Sequence, residues 1–443
     1  MPATPPGPPG TWLGGHLADF RRDRLDLFTR AARDYGDVVA IRFATRRIYL
    51  LNHPDAIESV LLHQAKHFQK HFALRLNSLI LGDGLLSSEG DFWRRQRRLI
   101  QPVFSRARIE SYAGVMVEAA DRLLARWKPG ETRAVMPEMM RLALEIAART
   151  LFDADVDSDA AEVGQALQVL QETWVRRFGQ LVPIPLWVPL PSNLRMKAAV
   201  RRLDAIIYGL IARRRAQTEP GNDLLSLLLA ARDEDGTGQM TDKQVRDEAM
   251  TLFLAGHETT ALVLTWTWVL LARFPDVAKQ LAAEVEDVLA GRPPTAADAP
   301  RLRFTEAVIL ESMRLYPPAY VIGREATALC EVAGYPVPRG HTVLMPQWAV
   351  HRDARWYAEP EAFRPGRWLD GSLADLPKYA YFPFGGGPRV CIGNTFAMLE
   401  LVLVVARLTQ GLRFTRPAVD PQPLPTFTLR PSTDVPVTVE AAR

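Results

Sequence analysis

A mainly α-helical chain with small β-sheets is what this sequence predicts, on three observations. Long stretches space their apolar residues with helical period. The longest opens at the capping box Thr241-Asp242-Lys243-Gln244 and runs to Phe274, just before Pro275. At the helical rise that stretch is roughly 50 Å long, enough to cross a whole domain. Strand-like runs, by contrast, are short: 38–43, 47–52, 331–345 and 425–441.

Taken in order, residues 1–15 are rich in Pro and Gly and predict an extended arm, leaving 16–443 as the folded part. Asp23 to Tyr35 is helical and stops at Gly36, a C-terminal signal. The runs 38–43 and 47–52 flank a turn and predict a hairpin, after which Pro54 opens a helix to about Leu62. Phe68 to Ser88 is mixed, with Gly82-Asp83-Gly84 as a turn. Asp91 to Ile100 is helical, and further helices are predicted over 108–127, 137–151 and 158–178. Four prolines between Leu181 and Pro191 break helical structure, and a helix follows from Leu194 to Gln217. A polar loop, 233–238, precedes the long helix; 277–290, 304–316 and 394–408 are helical beyond it.

The chain has 443 residues, 48% apolar and 23% charged, an ordinary globular balance that on length alone suggests about three domains. A net charge of +4, from 54 basic and 50 acidic residues, is too small to imply nucleic acid. Two cysteines, Cys330 and Cys391, allow no disulfide framework beyond one pair and fit a reducing cytoplasm. The longest apolar run, Thr259 to Ala272, is too short to span a bilayer, and no stretch reads as a signal peptide or anchor.

The chemistry centres on Phe384-Gly385-Gly386-Gly387-Pro388-Arg389-Val390-Cys391-Ile392-Gly393. Three glycines and a proline force a tight turn, and Cys391 follows it at the start of an apolar helical run. A thiolate is favoured at the positive end of a helix dipole, and a single soft thiolate suits haem iron. A lone Gly-x-Cys would read as a buried cysteine after a turn, but the spacing here is the fuller Phe-x-x-Gly-x-Arg-x-Cys-x-Gly. In this the chain resembles the cytochrome P450 haem-thiolate monooxygenases, and the resemblance extends over nearly the whole chain. It implies one large domain with haem b (iron protoporphyrin IX) held between the long central helix and the helix after the cysteine loop. It also implies that Cys391 is the iron ligand, that Arg389 pairs with a propionate, and that Phe384 packs beside the sulfur.

Other motifs gain meaning beside this one. Within the long helix lies Ala255-Gly256-His257-Glu258-Thr259-Thr260. A mid-helix Gly costs about 1 kcal/mol relative to Ala, for which close approach of a ligand at Gly256 is one reason; taken alone, the run reads equally as a polar patch in a core helix. In the family this segment is the oxygen-activation groove: the acid, here Glu258, relays protons, and the alcohol, here Thr259, holds O2 by a hydrogen bond. The zinc-protease pattern His-Glu-x-x-His fails because Ala261 stands at the second ligand position. Glu311 and Arg314, one turn apart, and the downstream Arg367 match a buried structural triad. Trp93 and Arg97, also one turn apart, match propionate donors, as does Arg324, with His351 as a further polar neighbour. Arg94, Arg95 and Arg98 read as outward-facing cations able to steer a redox partner.

The resemblance implies a hydrophobic substrate, O2, and electrons from NAD(P)H through a ferredoxin- or flavodoxin-type redox partner. Only 52 residues follow Cys391, too few for a fused reductase. Leu79, Leu85, Phe253, Ala255, Tyr320, Val321 and Ile322 match the family's pocket-lining regions and are largely apolar, favouring a lipid, terpenoid, steroid or polyketide. A soluble, cytoplasmic monomer with no membrane anchor and no nucleic-acid partner is expected. The alternatives are a peroxide-driven oxygenase or dehydratase, whose members usually lose the acid–alcohol pair kept here, and a haem-based gas sensor.

Overall fold

The computed structural model describes residues 4–71, 74, 78–153, 165–166, 169–170, 173, 187–217, 221, 223–231, 239–415, 417 and 419–441. Most of the expected helix 158–178, most of the proline-rich stretch 181–191 and the loop 233–238 lie outside the described residues; 165–166, 169–170 and 173 are helical. Two compact units are formed: Met1–Phe72 with Ala307–Cys391 and Pro423–Arg430, and Ala73–Glu306 with Ile392–Gln422 and Pro431–Arg443.

The first unit is built on a five-stranded sheet in the order Val38–Phe43, Arg46–Leu51, Thr342–Met345, Ile322–Ala326, Phe68–Lys70. The expected hairpin forms, with Val38 opposite Leu51 and Phe43 opposite Arg46. Arg46–Leu51 then pairs in parallel with Thr342–Met345, Ile48 facing Thr342. The other pairings are antiparallel, and Arg324 stands between Val343 and Lys70 in register. One apolar face of this sheet packs on the helix Arg24–Tyr35, capped by Asp23 and closed at Gly36 as its sequence predicts. The expected helix from Pro54 is shorter: it is α-helical over Pro54–Glu58 and continues as a π-turn over Ser59–His63. The arm is not extended throughout, because Thr11 and Gly15 exchange backbone bonds at 2.9 and 3.0 Å and close a turn.

The second unit is organised by the helix Asp242–Arg273, 32 residues long. Thr241 and Gln244 form the reciprocal capping box that the sequence predicts. Nearly all of its side chains from Val245 to Leu271 are buried. It packs against Val135–Phe152, Pro191–Ala216 and the apolar helix Asn394–Gly411. The expected helix 108–127 is two pieces, Arg106–Ser111 and Ala113–Arg126, broken at Tyr112. A three-stranded sheet, Thr132–Ala134, Pro436–Ala441, Leu412–Phe414, closes this unit. Among the described residues no single helix is long and apolar enough to cross a membrane; one pair, Asp242–Arg273 and Pro275–Leu289, meets the criterion only together and is bent by 112°.

Candidate active site

In the first unit the cysteine loop is fixed by backbone. Gly385 and Gly387 have φ of 73° and 62°, the left-handed region that favours glycine. A Cβ on Gly387 would lie 1.8 Å from the Leu61 carbonyl oxygen, and one on Gly386 would lie 2.3 Å from the Tyr379 ring. Cys391 N–H donates to the Phe384 carbonyl at 2.9 Å, folding the loop back on itself. Cys391 is exposed, while Cys330 is buried in the strand Cys330–Val332 with burial pushing its thiol pKa up. The helix does not begin at Cys391: its N-cap is Gly393 and its first residue Asn394.

The segment leading into the loop is tied down too. Phe382 N–H donates to His351 Nε2 at 3.1 Å, and Gln347 Nε2 donates to the Phe382 carbonyl. His351 was expected as a polar neighbour of the cofactor, but it is fully buried and its imidazole serves this backbone group. Burial, with Arg314 and Arg352 nearby, holds its pKa well below the usual histidine range. Arg389 and Arg324 are half-buried, and Ile322 Cδ1 lies 3.5 Å from where a Gly385 Cβ would stand. Val321 is half-buried. Tyr320, expected in the pocket, is buried: its hydroxyl donates to the Thr426 carbonyl at 2.9 Å and accepts from Arg24 at 3.2 Å.

Glu311, Arg314 and Arg367 come together as one buried cluster in this unit. Glu311 accepts from Arg314 at 2.8 and 2.9 Å and from Arg367 Nε at 3.0 Å. Sequence reasoning missed two further donors to the same carboxylate, Trp368 Nε1 at 2.9 Å and Arg364 N–H at 3.0 Å. Arg314 also reaches the carbonyls of His351, Pro360 and Ala362, and Arg367 those of Ala358 and Glu359.

In the second unit the buried surface of the long helix opens once near its middle. Ala255 is exposed, and Leu254, Gly256 and Thr259 are half-buried, between fully buried stretches. A Cβ on Gly256 would meet nothing within 4 Å. Thr259 Oγ1 donates to the Ala255 carbonyl at 2.6 Å, and Glu258 is buried beside it. Phe253 is packed in the core and stacks on His257 at 5.7 Å. On the helix Gly90–Ile100, Trp93 is buried and Arg97 half-buried, and both line a cleft of about 550 Å³ with Asp91, Arg94 and Arg98. Arg94 and Arg98 are exposed as expected, whereas Arg95 is half-buried. Leu85 is buried, its N–H donating to Glu248 at 2.9 Å; the side chain of Leu79 lies outside the described residues.

A sequence profile of the cytochrome P450 family matches residues 5–437, across both units. Cyclooctatin synthase of Streptomyces melanosporofaciens is 36% identical over 98% of this chain and 94% of its own length. Cyclooctat-9-en-7-ol 5-monooxygenase of the same organism is 34% identical over 90% and 87%. Pentalenene oxygenase of Streptomyces avermitilis is 35% identical over 93% and 91%. With its cysteine loop and this breadth of likeness, the chain belongs to the cytochrome P450 family and is a haem-thiolate monooxygenase of hydrophobic substrates.

Proposed function

We propose that this enzyme inserts one oxygen atom of O2 into a bulky cyclic terpenoid, as a cytoplasmic monomer carrying haem b. Electrons come from NAD(P)H through a separate ferredoxin or flavodoxin. Two relatives are named for cyclooctat-9-en-7-ol and pentalenene, and the candidate pocket residues are largely apolar. The observation that carries the reading is the exposed Cys391 on a loop where a Cβ on Gly386 or Gly387 would clash and where Gly385 has a φ of 73°.

The residues fit a haem. A flat macrocycle needs a helix face free of side-chain bulk, which Ala255 and Gly256 supply amid buried neighbours. Cys391 would hold the iron, Phe384 would pack beside the sulfur, and Trp93, Arg97, Arg324 and Arg389 would take the propionates. Haem, when bound, supplies an iron that activates dioxygen.

The chain's own part is protons and exclusion of water. Glu258, buried beside the opening, carries protons inward. Thr259 spends its one hydroxyl proton on the Ala255 carbonyl, so its oxygen turns lone pairs outward and accepts a hydrogen bond. The retained acid–alcohol pair favours the O2-driven monooxygenase over a peroxide-driven one.

Optical titration of the ferric protein tests the substrate class. Pentalenene or cyclooctat-9-en-7-ol should produce a saturable low-to-high spin shift, and lauric acid none. A shift with lauric acid and none with either cyclic compound would replace the terpenoid by a linear lipid.

A further inference from the structure

Three consecutive residues of the long helix, Arg246, Asp247 and Glu248, each take one backbone group from the segment 80–85. Arg246 Nη1 donates to the Ile80 carbonyl at 2.9 Å. Asp247 Oδ2 accepts from Asp83 N–H at 3.0 Å, and Glu248 Oε2 from Leu85 N–H at 2.9 Å. All three side chains are at least nine-tenths buried. The loop is shaped to receive them. Gly82 has φ of 52°, and a Cβ there would fall 2.0 Å from the Asp247 carboxylate. A Cβ on Gly84 would fall 2.1 Å from Thr251 Oγ1 and 2.5 Å from the Asp247 carbonyl oxygen. The Gly82-Asp83-Gly84 turn is therefore a docking face for this helix.

Further bonds brace the same tripeptide. Arg246 Nε donates to Asp204 on the helix Pro191–Ala216 at 2.6 Å, and its Nη1 to Asp247 at 3.0 Å. Lys243 bridges Asp247 at 2.7 Å and Asp83 at 3.3 Å. Hydrogen bonds that involve a charged partner are worth about 1.5–3 kcal/mol each, so three of them hold this loop far more firmly than its own turn would. Glu248 and Ala255 are seven residues apart, two turns or roughly 10 Å along one helix face. The clamped backbone thus sits on the N-terminal side of the opening at Ala255, about two turns away along the helix.

We propose that Arg246, Asp247 and Glu248 are positioning residues that clamp segment 80–85 to the long helix and thereby set which ligands the opening at Ala255 admits. The inference rests on the haem-thiolate reading for its ligand-selecting part alone. Charged side chains in a buried helix are costly and need partners; here each has a loop backbone group among its partners, so the burial also fixes a wall.

The test combines hydrogen exchange with ligand titration of the haem-loaded protein, wild type, Glu248→Gln and Glu248→Leu. In the wild type the Asp83 and Leu85 amides are protected. Glu248→Leu should speed exchange at Leu85 by at least about tenfold. It should weaken 4-phenylimidazole about fivefold while imidazole, too small to feel the wall, stays within about twofold. Glu248→Gln keeps an acceptor and should match the wild type in every arm. An unprotected Leu85 amide in the wild type, or one indifferent to Glu248→Leu, overturns the clamp. A freed Leu85 with an unchanged ratio of the two imidazoles overturns its role in ligand choice. Should Glu248→Leu not fold, Gly84→Ala, which wedges a methyl between loop and helix, is expected to give the same two shifts and decides in its place. Failure of the wild type to bind haem through Cys391 would overturn the haem-thiolate reading instead, and with it the ligand-selecting part, while the exchange arm still decides the clamp.

Discussion

Arg314 grips Glu311 with two parallel bonds, Nη2 to Oε1 at 2.8 Å and Nε to Oε2 at 2.9 Å, and neither side chain exposes any surface. Arg367 completes the cluster, so one carboxylate balances two buried guanidinium groups. Glu311→Ala leaves both cations buried without their counter-charge and should cost about 3–5 kcal/mol. Urea unfolding of the haem-free protein reads this directly. A loss below about 1 kcal/mol would mean the carbonyls around Arg314 and Arg367 suffice alone.

Cys391→Ser should abolish the thiolate-type spectrum of the reduced carbon monoxide complex, and Cys330→Ser should leave it intact. Cys391 is exposed at the end of the glycine loop, whereas Cys330 is buried in a strand with its thiol pKa raised. Loss of the spectrum in the Cys330 variant alone would reverse the assignment.

How much of this was legible in advance follows from where each signal is written. The long helix was legible because Thr241 and Gln244 cap it locally and Pro275 stops it, and both signals lie in the sequence itself. The pairing of Glu311 with Arg314 is likewise local, one turn on one helix face. The break at Tyr112 and the π-turn after Glu58 carry no glycine or proline and could not be read. The strands Thr132–Ala134 and Leu412–Phe414 are three residues each and exist only through pairing with Pro436–Ala441, a long-range partner. Asp247 and Glu248 read as polar positions of a helix, because the groups they bind are backbone amides, which every sequence has. The bond from the Tyr320 hydroxyl to the Thr426 carbonyl, 106 residues away, was equally illegible, because its acceptor is again a backbone group.

Gly387→Ala should destroy the cysteine loop. The new methyl would fall 1.8 Å from the Leu61 carbonyl, a backbone atom that cannot swing aside, at a φ of 62°. Gly366→Ala is the control, since a Cβ there meets nothing within 4 Å. The first variant should purify without haem and the second with a full complement, as read by the ratio of haem to protein absorbance. Equal haem content in both would show that the loop adapts.

Two buried groups titrate in opposite senses. Glu400 is fully buried, and that burial alone raises its pKa well above the usual carboxylate range. The folded state keeps its proton where the unfolded chain releases it, so its stabilising contribution is complete below about pH 4.5 and is lost as pH rises. His351, with its pKa lowered, contributes above about pH 6.5 and loses that contribution as pH falls. Between those values the two oppose each other, each by at most about 1.4 kcal/mol per pH unit. Relative to the wild type, Glu400→Gln should therefore make the change of stability from about pH 4.5 to 6.5 more positive, and His351→Gln should make it more negative. Urea midpoints at four pH values measure both, and a Glu400→Gln curve parallel to the wild type would refute the buried-acid account.

Thr259→Ala tests the proposed oxygen chemistry. O–O cleavage requires two protons delivered in order, inside a pocket that otherwise excludes water. Thr259 already donates to the Ala255 carbonyl, so the role left to its oxygen is that of an acceptor beside the opening. Removing it leaves the helix and the haem contacts in place but no group to order the second proton. Positioned proton transfer is typically worth about 10²–10⁴-fold. NAD(P)H and O2 should still be consumed, with hydrogen peroxide replacing much of the hydroxylated product. Thr259→Ser, which keeps the hydroxyl, should stay coupled. Glu258→Gln should instead slow the whole cycle, because it impairs proton entry and not proton order. Cofactor consumed, peroxide formed and product formed are measured in one reaction with the cyclic substrate that gives the spin shift. Full coupling in Thr259→Ala would mean that protons reach the oxygen without this side chain, and the role assigned to Thr259 would fall while that of Cys391 stood.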